Sequence, residues 1–210
     1  MMPPTSKFRT FDVLSSLQER IMSKLIRPAP PWLVEQWFNT PVPPSLEALR
    51  GRVIVLEAFQ MLCPGCVAHG LPQATRVHET FSPDEVAVIG LHTVFEHHAA
   101  MTATSLQAFL HEYRIAFPVG IDRAGLGSAI PQTMQAYQMR GTPTLVLIDA
   151  QGMIRYQHFG QVGDLLLGAQ VASLVGEAAA VAEPEAKAFA RDAVGACDDG
   201  SCAIQRQEPR

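Results

Sequence analysis

The stretch LEAFQMLCPGC, residues 56–66, joins an apolar run to a Cys-x-x-Cys, and that junction limits the available folds more than any other segment. VIVLEAF (53–59) is β-rich and nearly continuous in its apolar character, with the length of a strand buried on both faces. From Cys66 onward, CVAHGLPQATRVHETF has helical character, and Pro72 inside it predicts a kink. A cysteine pair that follows a buried strand and opens a helix meets unpaired amides and the positive end of the helix dipole, which stabilise a thiolate. The spacing alone leaves three readings open: a redox pair, half a zinc site, or two structural thiols. Zinc requires two further ligands at suitable distance.

The remaining elements alternate. VAVIGLHTV (86–94) reads as a second buried strand. ATSLQAFLHEYRI (103–115) reads as a helix with Leu106, Phe109, Leu110 and Tyr113 on one side, and Ser105 or Thr104 as its cap. FPVGID (117–122) is a short strand and IPQTMQAYQM (130–139) a helix. TPTLVLIDAQGMIRYQHFG (142–160) reads as a β-hairpin turning at Ala150–Gly152, and a helix starts at Asp164. This order predicts an α/β domain with a mixed sheet. Residues 27–44 hold six prolines and are expected to form an extended linker without regular structure, anchored to the core by Trp32 and Trp37.

Three segments result: an arm over 1–30, a domain over 31–176 and a tail over 177–210. The arm carries Phe8, Phe11, Leu14, Leu17, Ile21 and Leu25 at helical spacing, with a mildly basic polar face, and is expected to pack on the domain or a dimer partner, with attachment to a membrane surface as the alternative. The tail is rich in Ala and Glu, is interrupted by Pro184, and is expected to be flexible.

At 210 residues, 48% hydrophobic and 17% charged, the chain can build a proper core, and its net charge of −4 argues against a nucleic-acid partner. No stretch reaches the ~20 apolar residues of a membrane span, and the N-terminus lacks the apolar core of a secretory signal. A cytoplasmic protein is therefore expected. Four cysteines in two close pairs, Cys63/Cys66 and Cys197/Cys202, are too few for a disulfide scaffold and point to redox chemistry or metal binding. No cofactor is expected.

LRGRVIVLEAFQMLCPGC, VAVIGLHTV with FPVGIDRAG, AYQMRGTPTLVLIDAQGMI and the helix from Asp164 together resemble the thioredoxin fold. More narrowly, they resemble the redoxin group that includes the TlpA- and ResA-like thiol–disulfide oxidoreductases. The resemblance covers about residues 31 to 176 and includes the redoxin-type strand-and-helix insertion. It departs from thioredoxin in Leu62, where Trp is usual, in Gln60–Met61, and in CPGC for CGPC.

The resemblance implies that Cys63, at the exposed start of the helix, attacks and that Cys66, one turn inside, resolves the mixed disulfide. Pro64–Gly65 gives a tight turn without bulk against a partner. Glu57 falls where thioredoxin has a buried acid, and its apolar neighbours suggest a raised pKa and a role in moving the Cys66 proton. Thr142–Pro143 falls where the family has a cis proline, which would offer the Thr142 backbone to an extended peptide. The implied partners are a disulfide-containing protein and an upstream thiol reductant; the oligomeric state is left open.

Two alternatives share these residues. A peroxiredoxin-type thiol peroxidase needs a proline and a Thr or Ser before its cysteine, where this chain has Leu56 and Gln60. A metal carrier would use both cysteine pairs. Cys197 and Cys202 flank DDGS, a turn-former, and read as a second redox pair, a metal-binding or regulatory pair, or incidental thiols. Asp198 and Asp199 would disfavour thiolates there. His92, His97 and His98 lack the companion spacing of a metal site, and His69 lies one turn after Cys66 outside any haem-attachment motif.

Overall fold

Every position of the strand Val53–Phe59 is buried, Glu57 included, because it has a strand on each edge and a packed layer on each face. In the computed structural model, which describes residues 26–193, this strand is β3 of seven. The others are β1 (Arg27–Pro28), β2 (Val34–Phe38), β4 (Val86–His92), β5 (Val119–Asp122), β6 (Thr144–Ile148) and β7 (Met153–Phe159). The helices are α1 (Leu71–Thr80), α2 (Ala103–Glu112), α3 (Gln132–Ala136) and α4 (Asp164–Ala193), with a π-helical turn over Cys66–Gly70 ahead of α1.

The sheet order is β1-β7-β6-β3-β4-β5-β2. β3, β4 and β5 run parallel, and the other pairings are antiparallel, so the sheet is mixed. Alternation along β3 sends Val53, Val55 and Phe59 to one face, where Leu71, Ala74 and Val77 of α1, Leu106 and Leu110 of α2, and Leu167, Val171 and Leu174 of α4 cover them. Ile54, Leu56 and Ala58 go to the other face, under Leu46, Leu49, Met134, Tyr137 and Met139. Each such Val, Leu, Ile, Phe or Met side chain, fully buried, contributes about 1.5–3 kcal/mol. The redoxin-type insertion corresponds to β4, α2 and β5, and the expected hairpin is β6–β7.

The proline-rich segment departs from the linker expected. Its prolines flank WLVEQWF, and that proline-free run supplies β2, which pairs antiparallel with β5 at the sheet edge. Pro28 sits in the edge strand β1, where its missing donor does no harm. Trp32 and Trp37 do pack on the core; the Trp32 indole donates to the Tyr137 hydroxyl (3.1 Å), which donates to the Pro30 carbonyl (2.8 Å).

Three further details differ from the expectations. The cap of α2 is Thr102, not Ser105 or Thr104: it is extended, and its hydroxyl accepts from the Ser105 amide (3.2 Å). Pro72 produces a widened turn before α1 instead of a simple kink. The Leu71 amide reaches back to the Cys66 carbonyl, five residues away, which keeps the proline ring off the carbonyl four residues before it. Finally, although no stretch holds ~20 apolar residues in a row, residues Asp164–Val181 of α4 form a helix that passes for a membrane span by length and composition alone, with a mean hydropathy of 1.4, a feature not singled out from the sequence. Part of that content is the stripe Leu167, Val171 and Leu174 packed on the sheet, while Leu165 and Leu166 are exposed.

The chain divides into two units, Met1–Ala178 and Ala179–Arg210. The sheet and both cores belong to the first. The described part of the second is the end of α4, which is helical beyond residue 177, where the tail was expected to begin. Most of the N-terminal arm and the pair Cys197/Cys202 lie outside the described residues; Arg27 and Pro28, at the end of that arm, join the sheet.

Candidate active site

β3 ends at Phe59 and the chain turns so that the Cys63 amide donates to the Gln60 carbonyl (3.1 Å). Pro64 follows as the first helical residue, where a missing N–H is tolerated. Cys63 therefore stands in the capping position, and the Cys66 amide donates to its Sγ at 3.3 Å. A thiolate there faces the unpaired amides of the helix start. Cys63 is partly exposed, and Cys66 is completely buried. Burial pushes the Cys66 thiol well above the usual range, and its hydrogen bond with Cys63 adds to the rise; the Gln60 backbone and the Thr142 hydroxyl oppose it.

The opposite wall is the turn leading into β6. The Thr142–Pro143 bond is cis, and the Thr142 carbonyl accepts from Cys63 Sγ at 3.5 Å. The proline ring packs against the cysteine turn: a Cβ on Gly65 would lie 3.3 Å from Pro143 Cδ. Pro64 is exposed beside it.

Glu57 sits beneath this turn, opposite Leu145 of β6 and Gly90 of β4. It is 1% exposed, and its Oε1 has no hydrogen-bond partner among the described residues. Burial pushes its carboxyl up to about 8. Gly70 closes the chamber: a Cβ there would fall on Glu57 Oε1 and 3.1 Å from Pro143 Cβ. The structure thus gathers Cys63, Cys66, Glu57, Pro64, Gly65, Thr142 and Pro143 in one place. It adds Gly70, which the sequence reading missed, because its role depends on a contact with a residue thirteen positions earlier.

Gln60, also buried, ties this end of β3 to the next loop by accepting from the Phe95 amide (3.4 Å) and donating to Glu96 (3.4 Å). His92 belongs with the strand read at 86–94 and not with the exposed His97 and His98. It ends β4, fully buried, with its ring 5.3 Å from that of Phe59 and no partner on either nitrogen among the described residues. Burial pushes its pKa down to about 4. His97 and His98 are exposed, and His69 lines a small polar pocket with Gln73, Arg76 and Asp164. Among the described residues no three His, Cys, Asp or Glu side chains gather as a metal site would need.

The AhpC/TSA family model matches residues 31–157. Among solved structures, a thioredoxin-like superfamily protein is 62% identical, with a TM-score of 0.70 over 71% of this chain and 96% of that one. A thiol-disulfide isomerase from Corynebacterium glutamicum is 48% identical, with a TM-score of 0.67 over 70% of this chain and 96% of the other. The thiol-disulfide oxidoreductase ResA of Halalkalibacterium halodurans is 27% identical over 116 residues, 55% of this chain and 58% of ResA. The chain spans between 16% and 61% of the lengths of the curated relatives it matches.

Proposed function

The chain belongs to the AhpC/TSA family, and from that premise we propose that it is a thiol–disulfide oxidoreductase that reduces disulfides in other proteins through Cys63 and Cys66. The observation that carries the reading is the contact set around one sulfur: Cys63 Sγ, partly exposed, takes the Cys66 amide at 3.3 Å and lies 3.5 Å from the carbonyl before a cis proline.

The Cys63 thiolate attacks one sulfur of the substrate disulfide, forming a mixed disulfide and releasing the other sulfur as a thiolate that takes a proton from water. The Cys66 thiol then loses its proton and attacks Cys63 Sγ, which releases the second substrate thiol and leaves a Cys63–Cys66 disulfide. Two electrons pass to the substrate. Cys66 is a buried, reluctant acid, so this second step needs a nearby base. The ionised fraction of Glu57, about a tenth at pH 7 for a carboxyl that titrates near 8, accepts that proton; in the reverse step the neutral acid returns it.

The reducing direction is supported by the same burial. A buried Cys66 thiolate is poorly stabilised in the reduced pair, which favours giving up electrons, while the helix start at Cys63 works in the opposite sense. An upstream thiol reductant would then regenerate the pair, as the cytoplasmic setting expected from the sequence would sustain. The peroxidase alternative is disfavoured: Leu56 faces the opposite core, and the Gln60 side chain is engaged with Phe95 and Glu96, so neither offers peroxide a hydroxyl.

Insulin or a model disulfide, supplied with an electron-donating dithiol, tests the reading. Wild type should catalyse the reduction and Cys63→Ser should not. Catalysis that survives Cys63→Ser would overturn it.

A further inference from the structure

Among the described residues, the outer edge of β7 is only half paired. β1 covers it at Met153 and Ile154, whereas from Arg155 to Phe159 β7 has a strand partner only on its β6 side among the described residues. A groove of about 680 Å³ lies along that stretch, lined by Arg27, Gln138, Arg140, Arg155, Gln157 and Phe159 among others. No carboxylate contributes to its wall among the described residues.

Its cations are not equally available. Arg155 is neutralised by Asp149 (3.2 Å) and Glu177 (2.7 Å), and the His158 ring is engaged with Gln170 (2.9 Å). Arg27 donates to a neutral carbonyl, that of Tyr137, at 2.9 Å. Arg140 is exposed, and its guanidinium lies 4.9 Å over the Phe159 ring centroid. Neither Arg27 nor Arg140 has a carboxylate partner among the described residues.

One wall of this groove touches the turn that carries the cis proline. A Cβ on Gly141 would lie 2.9 Å from Phe159 Cε2, so the aromatic ring rests on the residue before Thr142. The Gly160 amide donates to the Pro143 carbonyl at 2.9 Å, locking the end of β7 to the cis turn that faces Cys63.

We propose that the groove docks an extended, acidic segment of the disulfide-bearing substrate protein, which adds as a strand along Arg155–Phe159 and passes over the cis-proline turn to present its disulfide to Cys63. The proposal rests on the oxidoreductase reading above. Five edge positions, of which Gln157 and Phe159 are exposed and the other three half-buried, accept a strand of about 17 Å, whose amides and carbonyls complete those of β7. Its acidic side chains meet Arg27 at the far end and Arg140 at the end nearest the cysteines. The chain's own arm bears Lys7, Arg9, Arg20 and Lys24 and matches a cationic groove less well than an acidic segment does.

The test uses the full chain and two disulfide-containing peptides that differ only in flanks of three Glu or three Lys. kcat/KM is measured for wild type, Arg140→Gln and Arg140→Lys at low and high salt, and binding of a fluorescent, cysteine-free Glu peptide is followed by anisotropy. Wild type should prefer the Glu peptide by about three- to tenfold at low salt, falling to less than about twofold at 0.5 M. Arg140→Gln should reduce the preference at least about twofold, through KM, and Arg140→Lys should restore it. Equal use of both peptides, a preference for Lys, or an Arg140→Gln ratio like that of wild type overturns the proposal. If neither peptide is reduced while the Glu peptide still binds in a manner that depends on Arg140 and salt, the groove stands and the oxidoreductase reading fails.

Discussion

Replacing Glu57 by Gln keeps the shape of the buried chamber and removes its ionisable group, so the variant isolates the cost of that carboxyl. In the unfolded chain the group titrates near 4.5, and burial raises it to about 8 in the fold. Below pH 4.5 both states hold the proton and no penalty arises. Between 4.5 and 8 the unfolded chain releases the proton and the folded one keeps it, so stability falls as pH rises, by about 1.4 kcal/mol per unit. By pH 7 the loss reaches about 3 kcal/mol, a large part of the roughly 5–15 kcal/mol that holds a typical domain together. Urea unfolding of the reduced proteins at pH 5, 6, 7 and 8 measures this directly. The difference between Glu57→Gln and wild type cancels every other titrating group and should grow in favour of the variant across that range. The same variant should slow the resolving step by about 10²-fold, since Cys66 loses its base. Parallel stability curves would refute the argument, because they would mean that water reaches Oε1 and the carboxyl titrates normally.

Three further outcomes follow from the same geometry. Cys66→Ala should accumulate a mixed disulfide between Cys63 and its substrate, seen by mass spectrometry of alkylated samples and absent from the Cys63→Ala, Cys66→Ala double variant. Gly70→Ala places a methyl on Glu57 Oε1 and against Pro143; it should cost about 1–3 kcal/mol in urea unfolding and lower disulfide turnover, and a neutral effect would mean the chamber is loose. His92, pushed from 6.5 down to about 4 by burial, stays neutral in the fold while the unfolded chain takes up a second proton on the ring. Its stability contribution is therefore intact above pH 6.5 and lost as pH falls toward 4, and His92→Phe should recover about 3 kcal/mol at pH 4 in acid unfolding curves.

The strands at 53–59, 86–92 and 144–148 were legible because continuous apolar runs of that length have few other uses. The cysteine turn was legible because a redox pair needs a strand end and a helix start together. β1 and β2 were not, since six prolines dominate the local signal and the proline-free run between them becomes a strand only when β5 offers its edge. His92 fell both within the strand read at 86–94 and in a histidine group with His97 and His98, because sequence cannot tell where the strand ends; it ends at His92.

The hidden acid shows where such reading reaches its limit. Apolar neighbours at Leu56 and Ala58 suggest that Glu57 is buried, but in a strand they report on the opposite face of the sheet. What determines the chemistry of Glu57 is its own face, and there the lid is Gly70 and the flank Pro143, residues 13 and 86 positions away. Gly70 looks like an unfavourable residue in a helical segment, and the π turn looks like an accommodation of Pro72. Together they bring a backbone with no side chain close enough to exclude water from Oε1 without striking it. The raised carboxyl pKa is thus a property of this turn as much as of the glutamate, and altering Gly70 alone should perturb the proton step while leaving both cysteines untouched.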